Sequence, residues 1–126
     1  MYPVTVSLPA SAEAPKLARE FVHTHRDGLT AEIIADAQLL VSEVVTNAVR
    51  HGRPDITLAM RLTPPGLAIV VADTGAALPV VPEAPPGLAR PSGRGLLILD
   101  AVATAWGVTP SASRPGKAVW FELQPR

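Results

Sequence analysis

Cysteine is absent from the 126-residue chain. Disulfides, thiolate nucleophiles and cysteine-based metal sites are therefore excluded. An excess of charge is also missing, because 11 Lys and Arg residues offset 11 Asp and Glu residues. Binding to a nucleic-acid backbone needs a basic footprint, so no direct nucleic-acid partner is expected. No uninterrupted apolar run approaches the ~20 residues of a membrane span. The start, Met1-Tyr2-Pro3-Val4-Thr5, lacks the basic segment and apolar stretch of a secretory signal. These features predict a cytoplasmic protein with no membrane partner. Charged residues are only 17% of the chain but hydrophobic ones are 48%, which is too apolar for a disordered protein. The length suits one domain with a core of its own.

Val4 to Leu8 alternate weakly and read as a short strand, ended by Pro9-Ala10. Ser11 offers an N-cap, and Leu17, Ala18, Phe21 and Val22 recur at helical spacing until Asp27-Gly28 stops the pattern. Thr30 caps a longer helix, Ala31 to His51, whose stripe is Ile33, Ala37, Leu40, Val41, Val44 and Ala48, with Gly52 as its stop. Ile56 to Leu62 alternates like a half-exposed strand, Pro64-Pro65-Gly66 turns, and Leu67 to Ala72 is continuously apolar. That run predicts a central strand crowded on both faces, paired with its predecessor as a hairpin. From Gly75 to Ser92 five prolines remove all periodicity; loops of this length are more often lids or binding loops than filler. Gly93-Arg94-Gly95 then opens a third helix, Leu96 to Ala105, and Trp106 to Thr109 and Ala118 to Leu123 read as two closing strands. Trp106 and Trp120 are expected in the core beside them. This order predicts an α/β chain of the two-layer α+β sandwich kind, a mixed sheet with about three helices packed on one face.

Glu43 and Asn47 lie four apart, so they project from one side of the long helix. Their valine and alanine neighbours suggest partial burial, which would move a carboxylate toward a general base's useful range, and an asparagine oxygen suits a hard cation. A solvated Glu and an Asn near a fraying end is the blander alternative, and on these two residues alone the better one. Asp73 ends the apolar strand and could accept a hydrogen bond from a purine amino group, or belong to an ordinary Asp-Thr-Gly turn. Gly93-Arg94-Gly95 before a helix could cradle an anion, or simply be a flexible start. Lys117 could be a second phosphate contact, with a plain hairpin lysine the favoured alternative. His51 could help close a site, although a basic residue at a helix C-terminus is favoured anyway. His23 and His25 have no partners at metal-ligand spacing.

Taken in order, Glu43-Val-Val-Thr-Asn47-Ala48-Val-Arg-His51, Asp73-Thr-Gly75 and Gly93-Arg-Gly95 resemble the N, G1 and G2 boxes of the GHKL (Bergerat-fold) ATPases. Within that superfamily the chain is most similar to the small anti-sigma-factor serine/threonine kinases of actinobacterial type. The ending Trp106-Gly-Val and Gly116-Lys-Ala-Val-Trp120-Phe-Glu adds to the likeness, which covers about the whole chain.

The resemblance implies a single histidine-kinase-like ATPase domain over residues 1–126, with ATP and Mg²⁺ as its cofactors and an ATP lid at about 76–92. It makes Glu43 the general base, Asn47 the Mg²⁺ ligand and Asp73 the adenine-reading carboxylate. Gly75 would lie under the base, and Gly93, Arg94, Gly95 and Leu96 around the triphosphate. Arg90 and Arg94 are candidates for a γ-phosphate contact, while His51 and Lys117 remain further nucleotide-site candidates. The implied function is phosphorylation of an anti-anti-sigma (STAS-type) partner, with sequestration of a sigma factor and a homodimer as further partner expectations. The alternative is a non-catalytic, nucleotide-dependent protein-binding switch. It rests on Ala76-Ala77, where the pattern usually has a second glycine, and on the lack of a threonine in Gly116-Lys117-Ala118-Val119.

The zero net charge hides an asymmetry: residues 1–89 hold six basic and nine acidic groups, and residues 90–126 hold five and two. The basic part contains Gly93 to Gly95, so neutrality does not speak against a polyphosphate ligand.

Overall fold

Alternate residues of a strand face opposite ways, and the strand segments of this chain use that alternation to bury one face. The computed structural model describes residues 3–51, 54–73, 94–110 and 117–125. The elements run β1 (Val4–Leu8), α1 (Ala14–Thr24), α2 (Ala31–His51), β2 (Ile56–Thr63), β3 (Gly66–Asp73), α3 (Arg94–Val102), β4 (Ala105–Pro110) and β5 (Lys117–Leu123). The five strands form one open sheet in the order β1-β2-β3-β5-β4.

All the neighbouring strand pairs among the described residues are antiparallel, which corrects the expected mixed sheet. The cause lies in the connections. β2 and β3 are joined by a short turn, and the antiparallel helices α1 and α2 carry the chain out and back between β1 and β2. β3 and β4 do run in the same direction, but β5 lies between them. The two-layer α+β arrangement of a sheet with three helices is otherwise the one expected.

Leu58, Met60, Leu67, Ile69, Val71 and Phe121 from the sheet meet Ala18 and Val22 of α1, Leu40, Val41 and Val45 of α2, and Leu99 of α3 in one buried core. The opposite face of the sheet carries the half-buried alanines Ala59, Ala68, Ala72 and Ala118. Val70 on that face is 37% exposed, so β3 is crowded on one face and not on two. Its outer residues are Ala68, Val70 and Ala72, which keep the sequence apolar without being covered. Trp120 also belongs to this outer face and is half-buried, a correction to its expected place in the core. It lies across Gly107, where an added Cβ would come within 2.8 Å of the indole ring. Trp106 shares the face of Phe121 and packs at the edge of the core, its Nε1–H donating to Asp100 Oδ1 at 3.3 Å.

The helix boundaries follow local chemistry. Thr30 Oγ1 accepts the Ile33 backbone N–H at 3.2 Å, so α2 begins as its cap predicts. Thr30→Ala is expected to lower stability by about 1 kcal/mol in denaturant unfolding; a loss below about 0.3 kcal/mol would show that this hydrogen bond contributes little. The start of α1 is later than Ser11 suggests. The Ser11 carbonyl and hydroxyl accept from Ala14 and Glu13 N–H respectively, closing a turn before the helix, and Glu13 becomes the N-cap. α1 also stops early, at Thr24, where the His25 N–H is shared by the Phe21 and Val22 carbonyls and its ring rests 4.6 Å from Phe21. α3 starts at Arg94 and ends at Val102 rather than Ala105, because Ala105 already pairs with Glu122 in β4.

One end of the sheet is closed by its last residues. The Gln124 backbone N–H donates to Thr104 Oγ1 at 2.9 Å, and its side-chain Nε2 donates to Thr63 Oγ1 at 3.1 Å. β3 begins there at Gly66, where any Cβ would collide with the Leu123 carbonyl oxygen. Glycine is what allows that approach.

Candidate functional site

The opposite end of the sheet gathers the residues of interest. Four residues separate His51 from Ile56, so the C-terminal end of α2 lies where β2 starts. Thr57 pairs with Ala72, which brings the end of β3 to the same place, and Asp73 pairs with Lys117, which brings the start of β5 there too. α3 hands directly into β4 at the far end of the sheet and packs against α2, so its first turn is directed back toward this end. Four stretches of chain, the α2–β2 connection, the end of β3, the start of α3 and the start of β5, thereby converge from separate parts of the sequence.

Asp73 and Lys117 are the buried charged residues among those described, at 7% and 6% exposure. They share the helix-covered face with Val71 and Val119, one step further along the register. Lys117 Nζ lies 3.5 Å from Asp73 Oδ2. The favoured expectation of a plain hairpin lysine is thus corrected. The signal was present in the sequence: Lys117 stands two residues before Val119 and four before Phe121, and strict strand alternation puts all three on the core face.

Glu43 and Asn47 are half-buried on one side of α2, amid the buried Val44, Val45 and Ala48. Their neighbours Ser42 and Thr46 turn their hydroxyls back onto the helix, donating to the Gln38 and Ser42 carbonyls. Neither Glu43 nor Asn47 has a hydrogen-bond or ion-pair partner among the described residues. A carboxylate and an amide oxygen therefore lie one turn apart on the C-terminal half of α2, without a partner among the described residues.

The other sequence candidates are placed in part or not at all. His51, Arg94, Gly95 and Leu96 are located by their backbone, the first as the last residue of α2 and the others as the first turn of α3. Gly75, Arg90, Gly93 and the expected lid at 76–92 lie outside the described residues. Among the described residues no three His, Cys, Asp or Glu side chains are grouped to hold a metal. The donor set still fits Mg²⁺, a hard cation that takes one or two protein oxygens and fills its octahedron with waters and phosphate oxygens. No helix among the described residues is long and apolar enough to cross a membrane.

The model of the histidine kinase-like ATPase domain family matches residues 8–122. The chain belongs to that family. As a histidine kinase-like ATPase domain it is of an ATP-binding type. Solved structures share the fold. The RsbU and RsbW domains of Rv1364c from Mycobacterium tuberculosis align at a TM-score of 0.70 and 22% identity over 97% of this chain. The histidine kinase domain of the Erythrobacter litoralis EL346 blue-light activated histidine kinase aligns at 0.54 and 18% over 94% of it. This ATPase domain spans 31% of the former chain and 65% of the latter. No curated protein sequence matches it.

Proposed function

We propose that this histidine kinase-like ATPase domain is a cytoplasmic serine/threonine protein kinase of the anti-sigma-factor type, acting on an anti-anti-sigma (STAS-type) protein and sequestering a sigma factor. The observation that carries the reading is that Glu43 and Asn47, side by side on α2 and without a partner among the described residues, belong to the helix that ends at the same end of the sheet as the buried Asp73. The likeness to a structure containing an RsbW domain supports the choice among kinase-like functions.

In this reading Asp73 accepts the amino group of adenine, with Gly75 under the base. Asn47 offers its side-chain oxygen to Mg²⁺. The backbone N–H groups of the first turn of α3, at Arg94, Gly95 and Leu96, face the phosphates, where a helix start favours negative charge. Gly93, Arg90 and His51 complete the nucleotide site, and 76–92 covers it as a lid. Bound Mg-ATP supplies the phosphoryl group and partial neutralisation of its charge. Glu43 accepts the proton of the partner's hydroxyl as that oxygen bonds to the γ-phosphorus and the bridging oxygen leaves with ADP.

The test pairs calorimetry with Mg-ATP and a phosphotransfer assay on a STAS-type protein encoded in the same genome. Binding together with transfer to a serine or threonine is expected. Binding without transfer favours a second reading, motivated by Ala76-Ala77 and the missing threonine before Val119. In that reading nucleotide occupancy controls a protein interface without chemistry, and a homodimer is one form the interface could take.

A further inference from the structure

The three helices pack on the side of the sheet that carries Leu58, Ile69 and Phe121, and no described helix covers the other side. The strand register fixes what stands there. β3 is the middle strand of five, with β2 on one side of it and β5 on the other. One row across these three strands reads Ala59, Val70, Trp120, and the row beside it reads Arg61, Ala68, Glu122. Val70 is exposed, as are Arg61 and Glu122. Neither of those two charged side chains has a hydrogen-bond or ion-pair partner among the described residues. Opposite charges thus flank the central strand at one level without meeting, and at the next level a large ring and a small alanine flank it in the same way.

We propose that this face is a homodimer interface, on which a second copy of the chain packs sheet to sheet about a two-fold axis running along β3. Such an axis exchanges β2 for β5 and sets β3 against its own copy. Arg61 then faces the partner's Glu122, and Glu122 faces the partner's Arg61. Trp120 faces the partner's Ala59, so each large ring has a small residue to pack on. Ala68, Val70 and Ala72 meet themselves, and no charge falls on the axis. An axis running across the strands sets each strand against itself, which brings together either the two indoles or the like charges. The face is therefore complementary to itself in charge and in size about one axis only. Two sheets pack at about −30° to each other, an offset that the long arginine and glutamate side chains absorb. Five strands about 4.8 Å apart and about seven residues long make a face roughly 24 Å square. Two such faces bury about 1,100 Å² together, just above the roughly 1,000 Å² a specific interface needs. The pairing does not depend on the nucleotide reading. It keeps the two copies parallel, so that the ends carrying Asp73 and Lys117 lie on the same side of the dimer.

Sedimentation equilibrium of the full chain over about 5–500 µM, a range suited to an interface of this size, is expected to show monomer and dimer in exchange. Arg61→Glu and Glu122→Arg are each expected to weaken the dimer by about tenfold or more, because each sets like charges opposite one another on both sides of the axis. Mixing the two variants is expected to restore it, since each then meets the charge it lacks. Both positions are exposed and unpaired among the described residues, and circular dichroism checks that the variants fold. Val70→Cys places a single thiol in a cysteine-free chain and is expected to cross-link to its own copy through a short bismaleimide. Leu39→Cys, exposed on α2 in the helical layer, is not. The proposal is overturned by a chain that stays monomeric throughout, by a dimer that neither reversal weakens or that mixing fails to restore, or by cross-linking through position 39 rather than 70. A monomeric chain whose Arg61→Glu variant loses binding to a STAS-type protein assigns the face to that protein and overturns the second copy as its occupant. None of these results bears on ATP binding, so failure here leaves the nucleotide reading untouched.

Discussion

Glu43→Gln is expected to slow phosphate transfer from Mg-ATP to a STAS-type partner by about 10²–10⁴-fold, the usual contribution of a positioned general base. Nucleotide affinity is expected to stay within about twofold, because a neutral isostere leaves Asp73, Asn47 and the start of α3 in place. Stability gives a third readout. Glu43 is half-buried and has no partner among the described residues, so the change breaks no ion pair among them and is expected in the range of about ±0.5 kcal/mol typical of uninvolved positions. The kinase and switch readings separate sharply here. A kinase loses turnover and keeps its ligand, while a switch has no turnover to lose. Transfer at the wild-type rate in Glu43→Gln would remove Glu43 from the chemistry.

Phe121→Ala is expected to cost about 3–5 kcal/mol, the range for deleting a buried aromatic ring. Among the described residues Phe121 is the largest fully buried side chain, and it lies on β5 opposite Ile69 of β3 and Trp106 of β4. Three strands pack through it beneath the helices, so the cavity has little freedom to collapse. For a domain of this size the loss is about 10–20 °C in Tm, readable by circular dichroism together with a lowered urea midpoint at unchanged slope. A loss under about 1 kcal/mol would mean that the core is not closed over this ring. The variant also serves as a control for the site, since β5 carries both Phe121 and Lys117. Where the folded fraction binds ATP normally, core and site are energetically separable.

The parts of the fold that depend on local chemistry were legible in the sequence. α2 runs from Ala31 to His51 as its cap and stripe predict, because Thr30 and the spacing of Ile33, Ala37 and Leu40 act within a few residues of one another. Features decided by distant neighbours were not. Whether the sheet is mixed depends on β5 inserting between β3 and β4, which no periodicity encodes. The two faces of β3 looked equally buried because alanine at 68 and 72 is apolar whether covered or not. Trp120 is too large to be expected outside the core, and only its opposite neighbour Gly107 makes room for it there. That Glu43 and Asn47 share one side of α2 was readable from their spacing of four, although the spacing alone favoured a solvated glutamate. Lys117 was not, since its meaning comes from Asp73 across the sheet, 44 positions earlier in the chain.

The latch made by Gln124 on Thr63 and Thr104 has a consequence for handling the molecule. It fixes the end of β5 at the pole of the sheet remote from Asp73, and β1 also runs toward the site from the opposite direction, Val4 pairing with Met60 and Leu8 with Ile56. Both ends of the described chain therefore leave from the side away from Asp73. A fluorescent reporter, purification handle or neighbouring module joined at either terminus hangs from the back of the domain, away from the end of the sheet that carries Asp73 and Lys117.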